Sequence, residues 1–178
     1  MHSTPIQIRF SDIDVLNHIN NAKFPTYMEL GRVHYFNDII SANHNWNESG
    51  VIVANYTMDF RIPIYFNDQL RIETEITAIG SKSITFAYRF VVDGDAGPIL
   101  KATGTSVIVC FHYKENRSME VPALWRDKVN AYQGTDFWFF QPLWTIHIVN
   151  CSYASFHLKW NNYSIFWLQE AYSLLAPA

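Results

Sequence analysis

Residues 23–40 constrain this chain more than any other segment. Phe24, Tyr27, Met28, Gly31, Tyr35 and Ile39 fall on one stripe of a 3.6-residue period, and Leu30, Val33, Phe36 and Ile40 widen it. Only Lys23, Glu29, Arg32 and Asp38 are charged in this stretch. A helix this apolar must be covered on most of its sides. Asn20 or Asn21 is a suitable cap, and Pro25 is tolerated in a first turn. Gly31 weakens a helix, so close approach to a neighbouring sheet is the reason to expect it there.

The segments around the helix supply the cover. Ile6, Ile8 and Phe10 alternate with Gln7 and Arg9, which predicts a strand over 5–10. Beyond a polar loop at 41–50 the period becomes two. Ile52, Ala54, Tyr56, Met58 and Phe60 are expected to share a face. Leu70, Ile72, Thr74 and Ile76 alternate with Arg71, Glu73, Glu75 and Thr77. Ile84, Phe86, Tyr88, Phe90 and Val92 form a further face. Residues 99–113 are apolar or small on both sides, as in a central strand. Tight turns at 80–83 and 93–98 make these neighbours antiparallel, and Pro122 to Tyr132 reads as a short helix. The economical arrangement is an α+β fold in which an antiparallel sheet wraps one long helix.

Composition narrows the function classes. Charged residues make up 16% of the 178, the formal net charge is −3, and no run of Lys and Arg stands out, so nucleic acid is not an expected partner. No apolar stretch approaches the about 20 residues of a membrane span. The opening residues lack the pattern of a secretory signal, which makes the cytoplasm the expected location. Cys110 and Cys151 form neither a disulfide framework nor a zinc set and read as packed thiols.

The composition changes near Thr135. Residues 135–178 hold only Asp136, Lys159 and Glu170 as charges, yet four of the six Trp. The chain is therefore divided into a domain at 1–134 and an aromatic-rich extension at 135–178. Three readings of the extension stand: a layer packed on the domain or on a partner subunit, a membrane-surface or interaction segment, or a stretch appended by a shift of reading frame. The scarcity of Lys and Arg argues against the membrane surface.

The chemistry-bearing segment is Asp12-Ile-Asp14-Val-Leu-Asn17-His18-Ile-Asn20-Asn21, between the first strand and the helix. It sets carboxylates beside a buried helix N-terminus, whose free N–H groups and partial positive charge would polarise a docked carbonyl and hold an oxyanion. A nearby carboxylate would attack that carbonyl or activate a water. The competing reading is a capping loop whose Asp and Asn merely satisfy backbone donors. His18 has no second His or Cys at ligand spacing, so no metal is expected.

The run RFSDIDVLNHINNAKFPTYMELGRVHYF closely resembles the opening of 4-hydroxybenzoyl-CoA thioesterase-like proteins of the hot-dog fold. VIVANYTMDFRIPIYF resembles their second strand and the turn after it, and DQLRIETEITAIGSKSITFAYRF the hairpin that follows. The likeness covers roughly residues 4–130. It implies a sheet around the helix, homodimers with a continuous sheet or homotetramers, and hydrolysis of an acyl-CoA thioester to free acid and CoA. Coenzyme A enters as part of the substrate, and no cofactor or metal is implied. Carried over by position, Asp14 is the catalytic carboxylate, the oxyanion donor falls at or next to Asn21, and His18 and Asn20 shape the loop and the acyl site. Tyr27 would line the acyl pocket. Asn55, Tyr56 and Thr57 would approach the thioester across a dimer interface, and Lys82 and Ser83 are candidates for the CoA end. Core packing competes for Tyr27 and Tyr56, and a solvated turn competes for Lys82. Glu29 reads as a surface or interface charge, although some hot-dog enzymes carry their carboxylate on the helix.

Three readings are weighed: a thioester hydrolase, a binding or scaffold protein on the same fold, and a structural partner that uses the aromatic extension. The motif favours a thioester hydrolase, with CoA or an acyl carrier protein as the carrier. A non-catalytic acyl-CoA-binding or scaffold protein is the second. A dehydratase would need a His paired with a carboxylate, and the sequence alone does not bring such a pair together.

Overall fold

The computed structural model describes residues 1–41 and 44–137. Helix α1 (Phe24–Tyr35) runs on through a wider π-turn, Phe36–Ile40, so the helical segment ends where its apolar stripe does. Asn20 caps the entry, accepting from the Ala22 N–H at 2.9 Å, and a 3-10 turn at Asn21–Lys23 leads into the helix. Phe24, Tyr27, Met28, Gly31 and Tyr35 are buried as the stripe predicts.

Six strands form one antiparallel sheet: β1 (His2–Pro5), β2 (Ser49–Phe60), β3 (Leu70–Ile79), β4 (Ser83–Gly94), β5 (Gly97–His112) and β6 (Arg117–Ser118). Their order is β1-β3-β4-β5-β2, with β6 on β5. β5 is central, as its two apolar faces require. The inward residues of β3 and β4, from Leu70 and Ile72 to Phe86 and Phe90, form one core with the buried stripe of α1. This is the sheet around a helix that the resemblance implies. Gly31 marks the closest approach: a Cβ there would lie 2.7 Å from Thr74 Oγ1. Helix α2 (Ala123–Gln133) closes one end. The Gln133 amide exchanges two hydrogen bonds with the Ile76 backbone and accepts a third from Tyr35 Oη.

Three expectations are corrected. The strand over 5–10 is instead His2–Pro5, and Phe10 is 86% exposed. The Asp12 carboxylate accepts the Arg9 N–H at 2.9 Å and folds Phe10–Asp12 into a 3-10 turn, so a local side-chain bond overrides the alternation. Two residues expected to widen the buried stripe are instead exposed: Leu30, and Val33, which lines the groove beside β2. Finally, the apolar residues of β2 do not share one face. Val53 pairs with Ile108 and Asn55 with Val107, leaving Ala54 as a bulge. Val51 and Val53, then Tyr56, Met58 and Phe60, therefore face the helix, while Ile52 lies on the outer side.

Cys110 is buried, and burial pushes its thiol up to about 12, as for a packed and inert side chain. Cys151 and the extension from residue 138 onward lie outside the described residues. Among those described, no helix is long and apolar enough to cross a membrane.

Candidate active site

The loop before α1 is a tight hairpin. Ile13 bridges Ile19, the Asp14 N–H donates to His18 O at 3.0 Å, and Asn17 adopts a left-handed φ of 62°. Asn tolerates that conformation better than most residues, which suits it to this turn. The loop is pinned on both sides. Ile19 donates to Ile64 O at 2.8 Å, and Asn20 to Asp12 O at 2.8 Å.

Within it, Asp14 Oδ1 accepts the Leu16 N–H at 2.8 Å, and Oδ2 lies 3.4 Å from His18 Nδ1. The structure thus brings together a His and a carboxylate that the sequence left apart. With Nδ1 protonated, the ring donates toward both Asp14 and the Ile19 carbonyl, 3.3 Å away. His18 and Asn21 line an open cleft of about 220 Å³, together with Phe24, Phe60, Arg61 and Ile64. Asn21 opens the 3-10 turn, so its N–H has no intrahelical acceptor. Asp14 does not line this cleft; it stands behind His18.

The other carboxylate of the motif has a different task. Asp12 is buried and accepts from Tyr27 Oη at 2.7 Å and from the Arg9 N–H, with Lys23 Nζ 3.6 Å away. Burial alone would raise its pKa, but the bonds from Tyr27 and Arg9 and the nearby lysine outweigh it and hold the carboxyl below its ordinary value. The same burial, with Asp12 beside it, drives the Tyr27 phenol well above its ordinary value. Tyr27 therefore anchors the base of the loop with its hydroxyl.

A separate groove follows the seam between α1 and β2; it begins at Pro25, next to Phe24 of the cleft, and shares no lining residue with it. Cavities of about 260 and 530 Å³ share Glu29, Arg32 and Val53 and so run into one another. Tyr56, 53% exposed, lines the first, and the second is walled by Val33, Phe36, Trp46 and Val51. Asn55 and Thr57 lie on the opposite face of β2 from Tyr56, and Thr57 Oγ1 meets Thr105 Oγ1 at 2.7 Å. Lys82 and Ser83 lie at the other end of the sheet. Ser83 is seven residues along β4 from Phe90, which touches Phe24, or roughly 23 Å, and Lys82 precedes it. Within one protomer they do not meet the loop. Arg61 at the cleft and Arg32 in the groove are the residues that sequence reasoning missed; one follows an apolar strand and the other looks like an ordinary helix charge. Among the described residues, no group of three or more His, Cys, Asp or Glu side chains is clustered to hold a metal ion.

Residues 8–131 match the thioesterase-like superfamily over their whole span. The chain belongs to that superfamily. Thioesterase relatives include the acyl-acyl carrier protein thioesterase ATL2 of Arabidopsis thaliana, 29% identical over 65% of this chain and 63% of its own length. Another is the long-chain acyl-CoA thioesterase FadM of Escherichia coli, 22% identical over 71% of this chain and 95% of its own length. A thioesterase from Thermus thermophilus in complex with coenzyme A and Zn superposes with a TM-score of 0.63 at 28% identity, over 75% of this chain and 94% of its own. The chain spans 56% and 63% of the lengths of two of the curated relatives it matches. The thioesterase fold is the hot-dog arrangement described above, and the matched span ends within α2.

Proposed function

We propose that the chain is an acyl-CoA thioesterase that hydrolyses the thioester to free acid and CoA. One observation carries this reading: Asn21, whose N–H opens the helix entry, and His18, which pairs with Asp14 behind it, line one cleft. The carbonyl oxygen accepts from the Asn21 N–H, which holds the negative charge that develops on attack. Asp14, engaged through both oxygens and set back from the cleft, acts as general base through a water, with His18 orienting it. The water oxygen adds to the carbonyl carbon, its proton passes to Asp14, and the C–S bond breaks as CoA leaves as thiolate. No resident cofactor is called for.

The two copies of a homodimer would join along β2. It is the last strand of the main sheet order among the described residues, and Ile52, Val53, Tyr56 and Phe60 on it are each more than two-fifths exposed. An apolar unpaired edge is a template for pairing with another chain. A two-fold axis there would turn the far end of one sheet, with Lys82 and Ser83, toward the other copy's loop, where the CoA portion is expected. The carrier-protein relative supports acyl carrier protein as an alternative donor.

The test is thiol release from short, medium, long and aromatic acyl-CoAs by wild type and Asp14→Asn. The expected result is turnover that falls about 10²–10⁴-fold in the folded variant. A folded wild type that releases no thiol from any of them, or a fully active Asp14→Asn, overturns the proposal.

A further inference from the structure

Three cationic side chains are buried among the described residues: Arg32, Lys101 and Arg126. Two of them have structural partners. Lys101, on a bulge of β5, reaches Pro63 O at 3.2 Å and Asp68 at 3.9 Å. Arg126 donates to the carbonyls of Ile79, Gly80 and Phe137. Arg32 is different. It is 9% exposed, and among the described residues its one hydrogen bond runs from Nη1 to Tyr88 Oη at 3.2 Å; Tyr88 Oη meets Ser106 Oγ at 2.7 Å. It makes no ion pair with any described residue. Glu29, one turn earlier, lines the same cavities but stays exposed and beyond ion-pair reach.

The other guanidinium nitrogens of Arg32 are not fully buried, so they keep water; losing that water without gaining a counter-charge is costly, and the planar fork suits a carboxylate. Arg32 lines both cavities, together with Glu29 and Val53. It lies eleven residues beyond Asn21, roughly 16 Å along the helix axis, and helical side chains lean back toward the N-terminus. An unsubstituted acyl chain filling this groove would strip water from Arg32 and return nothing.

We propose that Arg32 is a specificity-determining residue that receives a carboxylate at the far end of the acyl group, so that medium-length ω-carboxyacyl thioesters are the preferred substrates. This rests on the thioesterase reading of the same site.

The experiment compares kcat/KM for sebacoyl-CoA and decanoyl-CoA, equal in length, in wild type, Arg32→Met and Arg32→Lys, alongside calorimetric binding of free sebacate and decanoate to the full chain. Wild type is expected to prefer sebacoyl-CoA at least tenfold. Arg32→Met should reverse that preference, and Arg32→Lys, lacking the fork, should keep its sign but reduce it severalfold. If Arg32→Met does not fold, an unchanged preference in Arg32→Lys overturns the proposal. So does a wild type that handles decanoyl-CoA as well as sebacoyl-CoA, with Glu29→Gln weakening self-association, since Arg32 would then be paired with Glu29 of a second copy. Arg32-dependent sebacate binding without hydrolysis of either thioester would sink the thioesterase reading and leave the carboxylate site standing.

Discussion

The Tyr27 phenol on α1 donates to the buried Asp12 carboxylate across 2.7 Å, fastening the first residue of the Asp-x-Asp motif to the helix that follows it. The loop carrying Asp14 hangs from this joint, because the Asn20 N–H bonds back to Asp12 O. Two acids two residues apart are thereby given separate work: one holds the loop and the other faces His18.

Removing the joint should cost stability and change its pH dependence. Tyr27→Phe leaves a buried carboxylate one donor short, a loss of about 1–3 kcal/mol in denaturant unfolding. In the folded protein the Asp12 carboxyl lies below its ordinary 3.8, so its contribution is complete above that value and lost as pH falls through it toward the folded value. The acid limb of wild-type stability below pH about 4 should therefore be shallower in Tyr27→Phe. An unchanged limb would mean that Asp12 does not depend on Tyr27.

The set-back position of Asp14 predicts the source of the oxygen in the product. In a single turnover in H₂¹⁸O, with enzyme in excess, the released acid should carry label from the first turnover, because water adds directly to the carbonyl. Unlabelled acid in that first turnover, with label appearing in Asp14, would establish a covalent acyl-enzyme instead.

At Gly31, Ala is the better helix former by up to about 1 kcal/mol, but its methyl would need to occupy space 2.7 Å from Thr74 Oγ1. Overpacking of a tight core costs about 1–3 kcal/mol, so the clash should win and Gly31→Ala should be destabilising. Thr74 Oγ1 is buried without a hydrogen-bond partner, so Thr74→Ala forfeits none there. The double variant should recover much of the loss in chemical denaturation, and strict additivity would refute the contact.

The exposed β2 edge predicts self-association. Sedimentation should find the wild type dimeric or larger, and Val53→Lys, which sets like charges close together across a β2–β2 junction, should shift it toward monomer with loss of turnover. A Val53→Lys protein that remains dimeric would move the interface elsewhere.

Much of the architecture was legible in the chain itself. The apolar stripe from Phe24 to Ile40, the alternation in β3 and β4 and the two-sided β5 report burial directly, because a side chain's period states which face loses water. The motif from Asp12 to Asn21 was legible as a loop feeding a helix N-terminus, since Asn caps and Pro25 act through bonds to near neighbours. What local sequence could not decide were contacts between residues far apart, or choices among nearly equal local bonds. The Asp12 bond to Arg9 ended β1 early, and the bulge at Ala54 turned Tyr56 inward while leaving Ile52 outside. The hairpin closed by Ile13 and Ile19 put His18 against Asp14. Arg32 reads in sequence as one more helix charge. Only the tertiary packing, which sets Tyr88 of β4 against it and leaves no acid of the described residues within ion-pair reach, makes it a largely buried cation, because burial belongs to the assembled groove and not to the residue.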